Sequence, residues 1–351
     1  MSRKPRLILS RQALAENYQR LSSSLAQGEC AASIKANAYG IGIEFAAPVL
    51  WEAGCRTYFV AYLEEALSLR HLLPDAVIYV FHGFDVTSFE IARESRIRPV
   101  LNTLAEARQP GVAQLQPAIH IDTGMRRLGI AQHQFDQIPD LIETCQPSLL
   151  MSHLASADEP DRSDSENQLH VFESIRSTLG LDCPPSSLAN TAGILLGEAF
   201  HFDLARPGIG LYGGSPNPSD PKGFDPVVTW HAQVIELQHV SRGDSIGYGG
   251  SFVAERDMRI ATLGIGYADG YLRALSNKGG VLVEGVNCPI VGRVSMDLVT
   301  IDVSAVATLN EGAWVEVMGA EISIDTVAAN ANTIGYECLT RLGPRMERIV
   351  V

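Results

Sequence analysis

SPNPSDPKGFDP, residues 215–226, carries four prolines in twelve residues, with serine, aspartate, asparagine and glycine filling most of the rest. Proline fixes φ and removes a backbone donor, so neither a helix nor a central strand runs through such a stretch. It reads as a linker or loop, and the chain changes texture across it. Upstream, short apolar runs at 31–34, 57–61, 76–81, 98–101, 118–121, 149–152, 186–189 and about 209–212 have the continuous hydrophobicity of buried parallel strands. Amphipathic stretches separate them, at roughly 43–53, 63–72, 86–93, 132–143, 164–178 and 192–199. The first helix is the clearest. Ser10 caps it, Leu14, Tyr18, Leu21 and Leu25 share one face, and Gly28 ends it. Eight strand–helix units in about 210 residues match a (β/α)8 TIM-type barrel. The competing doubly wound sheet lacks a GxGxxG after its first strand.

Downstream the runs are strand-like: VVTWHAQVIELQHV, RIATLGIGY, GGVLVEG, CPIVGRV, LVTIDV and AWVEVMG, broken by Gly, Asn and Pro. The expected fold class is therefore α/β plus all-β. The expected units are a barrel over 1–224 and a C-terminal β-domain over 225–351. A chain of 351 residues is long enough for two cores.

Composition narrows the function. The formal net charge of −13 argues against nucleic acid as a partner, because phosphate backbones need a basic face. Cys30, Cys55, Cys145, Cys183, Cys288 and Cys338 are scattered without a CxxC pair, so free thiols are expected and no metal site. The basic N-terminus precedes an apolar run of only three residues. With no signal peptide and no membrane span, a cytoplasmic location is the expectation.

In a barrel the reactive mouth lies at the carboxyl ends of the strands, and unusual residues recur there. Lys35 and Tyr39 follow the first strand in AASIKANAYGIG (31–42). A lysine at a strand end either snorkels to solvent or, if desolvated, becomes a neutral amine able to act as base and nucleophile, as in joining to pyridoxal phosphate. Arg126 and Arg127 follow strand five, and His153 ends strand six. Asn190 and Thr191 end strand seven, and Arg206 leads the eighth in RPGIGLYG. Taken singly, each has an ordinary structural explanation: a surface arginine, a core histidine, a helix cap. Five strand ends placing polar groups at one rim together suggest a site. Gly208 and Gly210 would let backbone N–H groups approach an anion, in the usual phosphate corner of this fold. In the second unit, GDSIGYGGSF sets Tyr248 among glycines, as an ordinary hairpin aromatic or a functional phenol.

Together IKANAYG, DTGMRRLG, SHLASADE, RPGIGLYG, GYADG and GRVSMD, in this order, closely resemble the alanine racemase family of fold type III pyridoxal-phosphate enzymes, over about residues 5–345. The resemblance implies interconversion of L- and D-alanine, with D-alanine supplied for peptidoglycan. It implies that Lys35 tethers pyridoxal 5'-phosphate and serves as one base, and that Tyr248 from the partner subunit of a head-to-tail homodimer is the other. Tyr39, Thr191, Gly208 and Ile209 match the phosphate-binding group, with Asn190 beside them. Arg206 matches the arginine at the pyridine nitrogen, and His153 links it onward. Arg127 and the Met296 backbone match the substrate-carboxylate contacts, and Tyr267 and Arg273 the substrate entrance. Three positions depart from the family. His120 replaces a lysine, often carbamylated, that steers the carboxylate-side arginine, leaving Arg127 to be oriented by something else such as a bound anion. Arg126 stands where a small or neutral residue is common. Pro344 falls where some members carry a tyrosine near the cofactor. Two other readings are a decarboxylase of the same fold type, and a non-catalytic cofactor carrier. RPGIGLYG and GYADG argue against the first, and the β-domain with Tyr248 against the second.

Overall fold

The computed structural model describes residues 3–217 and 223–351; positions 218–222 of the proline-rich stretch lie outside the described residues. Seven strands form one parallel sheet in sequence order: Ala32–Ser33, Thr57–Val60, Val77–Val80, Ile97–Leu101, Ala118–His120, Leu149–Met151 and Ser186–Ser187. The eighth, Leu204–Ala205, closes the ring. It pairs in parallel with Glu29–Cys30, the outer half of the first strand. On its other side Asp203 N–H donates to Ser186 O at 3.0 Å and Arg206 N–H to Ala189 O at 2.8 Å. The sequence had placed this strand at about 209–212, but Ile209–Tyr212 is a buried 3-10 turn. Both segments are equally apolar and buried, and hydrophobicity alone does not separate a buried strand from a buried turn. Arg206 therefore follows the eighth strand and lies at its carboxyl end, at the mouth.

The lumen is filled rather than open. Ala31, Phe59, Tyr79, Val100, Ala118, Leu149, Met151 and Leu204 form one buried cluster drawn from around the ring, with the Phe59 and Tyr79 rings stacked at 4.9 Å. This plug is the floor beneath the mouth. The first helix runs Arg11–Ser23, with the Ser10 hydroxyl accepting from Ala13 N–H as a cap; it stops before Gly28, at Ser24. The helices expected at 43–53, 63–72 and 164–178 occur as Ile43–Glu52, Leu63–Leu72 and Ser163–Leu179. Those at 86–93 and 132–143 begin as 3-10 turns before becoming α-helical.

The second unit is mostly strand, around the long Val228–Val240, which pairs with Met258–Leu263, Trp314–Met318 and Arg6–Leu9. Arg6–Leu9 also runs parallel to Glu347–Val350, so the chain's first strand joins the C-terminal sheet before the barrel begins. The short helix Gly335–Thr340 of this unit reaches the barrel mouth, and Arg348 donates to Ile41 O at 2.5 Å and Gly40 O at 2.9 Å. All six cysteines are free. Among the described residues no group of three His, Cys, Asp or Glu side chains could hold a metal ion, and no helix is long and apolar enough to cross a membrane.

Candidate active site

A cavity of about 420 Å³ opens at the barrel mouth. Lys35, Tyr39, Arg127, His153, Asn190, Thr191, Arg206, Gly208 and Ile209 all line it. Five strand ends, the turn after the first strand among them, thus converge on one space.

The chain after Lys35 is unusual. Ala36, Asn37, Ala38 and Tyr39 all have φ between 52° and 54°, a left-handed turn of four non-glycine residues. Each costs an L-residue roughly 1–2 kcal/mol, so such a run persists only when its surroundings impose it. Here Ala38 N–H donates to Ile34 O at 2.9 Å, Ile43 N–H to Asn37 Oδ1 at 2.8 Å, and Asn37 N–H to Glu65 Oε1 at 3.3 Å. Arg348 holds the carbonyls at its exit. The turn that these contacts hold sets the spacing between Lys35 and Tyr39. Burial lowers the proton affinity of Lys35 below that of an ordinary lysine, and the charge of Arg127 lowers it further; Glu65 acts in the opposite sense.

Arg206 is 3% exposed. Its terminal nitrogens donate to Ser187 Oγ and to Ser152 O, the latter at 2.6 Å, and one lies 3.4 Å from His153 Nδ1. Its Nε is buried without a partner. Burial brings the guanidinium down to about 9. His153 is held well below its ordinary range by burial, then by the charge of Arg206. The imidazole is therefore neutral.

At the next corner Thr191 Oγ1 accepts from Gly208 N–H at 2.9 Å and from Gly210 N–H at 3.4 Å. With both acceptor positions used, its own proton is left to donate. Asn190 caps the helix Thr191–Leu196 by accepting from Gly193 N–H at 2.9 Å. Tyr39 stacks on Tyr212 at 4.6 Å and is pushed up to about 12 by burial, so its phenol stays protonated and is a donor. A Cβ on Gly208 would lie 2.1 Å from the Tyr39 hydroxyl. Gly208→Ala is expected to displace that phenol and weaken retention of a phosphate-bearing cofactor by about tenfold or more, measured by reconstituting the apoprotein and following the visible absorption.

His120 ends the fifth strand, buried. Asn102 Nδ2 donates to Phe81 O and Val100 O, so its Oδ1 is the atom 2.8 Å from His120 Nδ1. The proton therefore sits on Nδ1, and Nε2 carries a lone pair. Burial, and then Arg206, lower this imidazole to about 3 from an ordinary 6.5. Between those values the unfolded chain takes up a proton that the folded one refuses. Stability contributed by the neutral ring is complete above about pH 6.5 and falls as pH drops toward 3, by about 1.4 kcal/mol per unit. Urea unfolding of His120→Asn is expected to show a shallower acid loss than the parent.

Tyr248, Met296 and Tyr267 lie elsewhere, on the β-domain surface, 72%, 54% and 43% exposed. None of them, nor Arg273, lines this chain's cavity. Conversely, Phe81, Tyr336, Glu337 and Thr340 line it and were not anticipated. Pro344 is absent from the lining; the cavity's tyrosine from the C-terminal unit is Tyr336, 6.1 Å from the Tyr39 ring. Its only advance signal was an aromatic in an amphipathic segment near the chain's end.

These residues fit pyridoxal phosphate. The cavity offers a buried orphan N–H on Arg206, a desolvated lysine amine, and an anion corner where the Thr191 hydroxyl and the Tyr39 phenol can donate. The Gly208 and Gly210 N–H groups at that corner are spent on Thr191 Oγ1.

Two sequence families match the chain: "Alanine racemase, N-terminal domain" over residues 9–216 and "Alanine racemase, C-terminal domain" over 227–350. An alanine racemase of Methylobacterium nodulans is 44% identical over 98% of this chain and 95% of its own length. One from Acidiphilium cryptum is 41% identical over 99% and 98%. Among solved structures, alanine racemase from Bartonella henselae with covalently bound pyridoxal phosphate superposes with a TM-score of 0.94 at 37% identity, covering 99% of each chain. The biosynthetic alanine racemase of Pseudomonas aeruginosa gives 0.94 at 33%, covering 100% of each.

Proposed function

The chain belongs to the alanine racemase family, and we propose that it interconverts L- and D-alanine with Lys35 and Tyr248 as its two bases. The reaction removes hydrogen from Cα on one face and returns it on the other, which two bases on opposite sides accomplish directly. The observation that carries this reading is a desolvated lysine sharing one cavity with an orphan arginine donor and an anion corner.

Pyridoxal 5'-phosphate, when bound, withdraws electrons from the amino acid and acidifies its Cα–H. The chain's residues do the rest. Lys35 holds the cofactor covalently and then moves a proton at Cα; burial and the charge of Arg127 favour its neutral form. Arg206 offers its buried Nε–H to the ring nitrogen and, anchored by Ser152 and Ser187, holds the ring in one orientation. His153 braces that guanidinium. Tyr39, Thr191, Gly208 and Ile209 bind the phosphate, and Asn190 fixes the helix start carrying Thr191. Arg127 and the Met296 N–H bind the substrate carboxylate.

The barrel within residues 1–224 would hold most of the cofactor, although its first strand, Arg6–Leu9, belongs to the C-terminal sheet and Tyr336 reaches the cavity from the second unit; 225–351 would contribute the second base. Exposure of Tyr248 outside its own chain's cavity supports its action on a partner's cavity, in a head-to-tail homodimer. Tyr267 and Arg273 would flank the entrance. The biological role is cytoplasmic supply of D-alanine for peptidoglycan. Purified protein with added pyridoxal phosphate should convert L-alanine to D-alanine and the reverse. Release of CO₂ without inversion would overturn the reading.

A further inference from the structure

A second cavity, of about 340 Å³, lies at the opposite end of the barrel, against Val77 and Ile97 at the amino ends of the third and fourth strands. Four arginines line it, Arg70, Arg93, Arg96 and Arg98, against one carboxylate, Asp75. This surplus occurs in a chain of net charge −13.

The cluster is built, not incidental. Arg70 is spent on the backbone: it donates to Ser95 O at 2.7 Å, Leu73 O at 3.1 Å, Pro74 O at 2.8 Å and Arg96 O at 2.9 Å. It thereby ties the loops before the third and fourth strands together. Arg96 sits between them at φ 52° and reaches Pro74 O, with Asp75 3.9 Å away. Arg98 is fixed by Tyr79 Oη at 3.0 Å and Gln116 Oε1 at 2.7 Å. Arg93 is exposed on the helix Phe89–Glu94. Positive charges held this close repel one another. The guanidinium of Arg70 is lowered by burial and then by Arg96. An anion with two charged groups would relieve that repulsion, and guanidinium forks match phosphate or carboxylate oxygens.

We propose that this cavity binds a small polyanion carrying two phosphate or carboxylate groups, separately from the racemisation site. The test uses the holoenzyme, so that the cofactor fills the other anion corner, with pyrophosphate as probe in calorimetry at fixed ionic strength. Saturable binding of one pyrophosphate per chain is expected. Arg93→Gln/Arg96→Gln should weaken it by about tenfold or more with racemisation unchanged, and Asp75→Asn should tighten it. Citrate replaces pyrophosphate in a parallel titration: equal binding assigns the site to polyanions in general, and weaker binding to phosphates. Absence of saturable binding, or equal affinity in the parent and both variants, would overturn the proposal.

Discussion

Tyr248→Phe is expected to lower kcat for alanine racemisation by about 10²–10⁴, the usual contribution of a positioned acid–base group, in both directions. The phenol is 72% exposed in the isolated chain, so its removal should shift stability by no more than about 0.5 kcal/mol. The visible absorption of the bound cofactor should be retained, because the proposed covalent tether is Lys35, which the substitution leaves in place. One activity should survive. With Lys35 intact, hydrogen on one face of Cα still exchanges with solvent, so one enantiomer should take up deuterium while keeping its configuration. Inversion at the parental rate would show that Tyr248 is not a base.

Lys35→Ala should have the larger effect, because one side chain is assigned two tasks. Loss of the base alone is worth about 10²–10⁴ in rate, and loss of the covalent tether adds to it. The expected fall in kcat is at least about 10⁴, with the tether's visible absorption absent. The fold should survive. The left-handed turn of residues 36–39 is held by Glu65, by the Asn37 side chain and by Arg348, not by the lysine side chain. A mutant that keeps both the absorption band and measurable turnover would refute the assignment.

Much of this was legible in the sequence, for identifiable reasons. Buried parallel strands are continuous apolar runs, so seven of the eight stood out, and the residues at their ends followed. The eighth was misplaced because Leu204–Ala205 and Ile209–Tyr212 are both apolar and buried. The left-handed turn gave no signal: Asn37 tolerates positive φ but Ala36, Ala38 and Tyr39 do not favour it, and the conformation is held by the Asn37 side chain and by contacts from Glu65 and Arg348. Tyr336 escaped because it enters the mouth from the other unit, a contact made by tertiary packing. The joining of Arg6–Leu9 to the C-terminal sheet is hidden in the same way. For Tyr248 the glycine-rich turn left an ordinary hairpin aromatic and a functional phenol both open, and only the family resemblance assigned it the role of a base.

On the proposed assignment each catalytic cavity takes Lys35 from one chain and Tyr248 from another. Mixing Lys35→Ala and Tyr248→Phe proteins, dissociating them and allowing them to reassociate tests it directly. A hybrid dimer would contain one cavity with both native bases and one with neither. With equal mixing half the dimers are hybrids, so about one quarter of the parental activity should return from two nearly inactive proteins. If hybrids form and no activity returns, Tyr248 does not act across the interface.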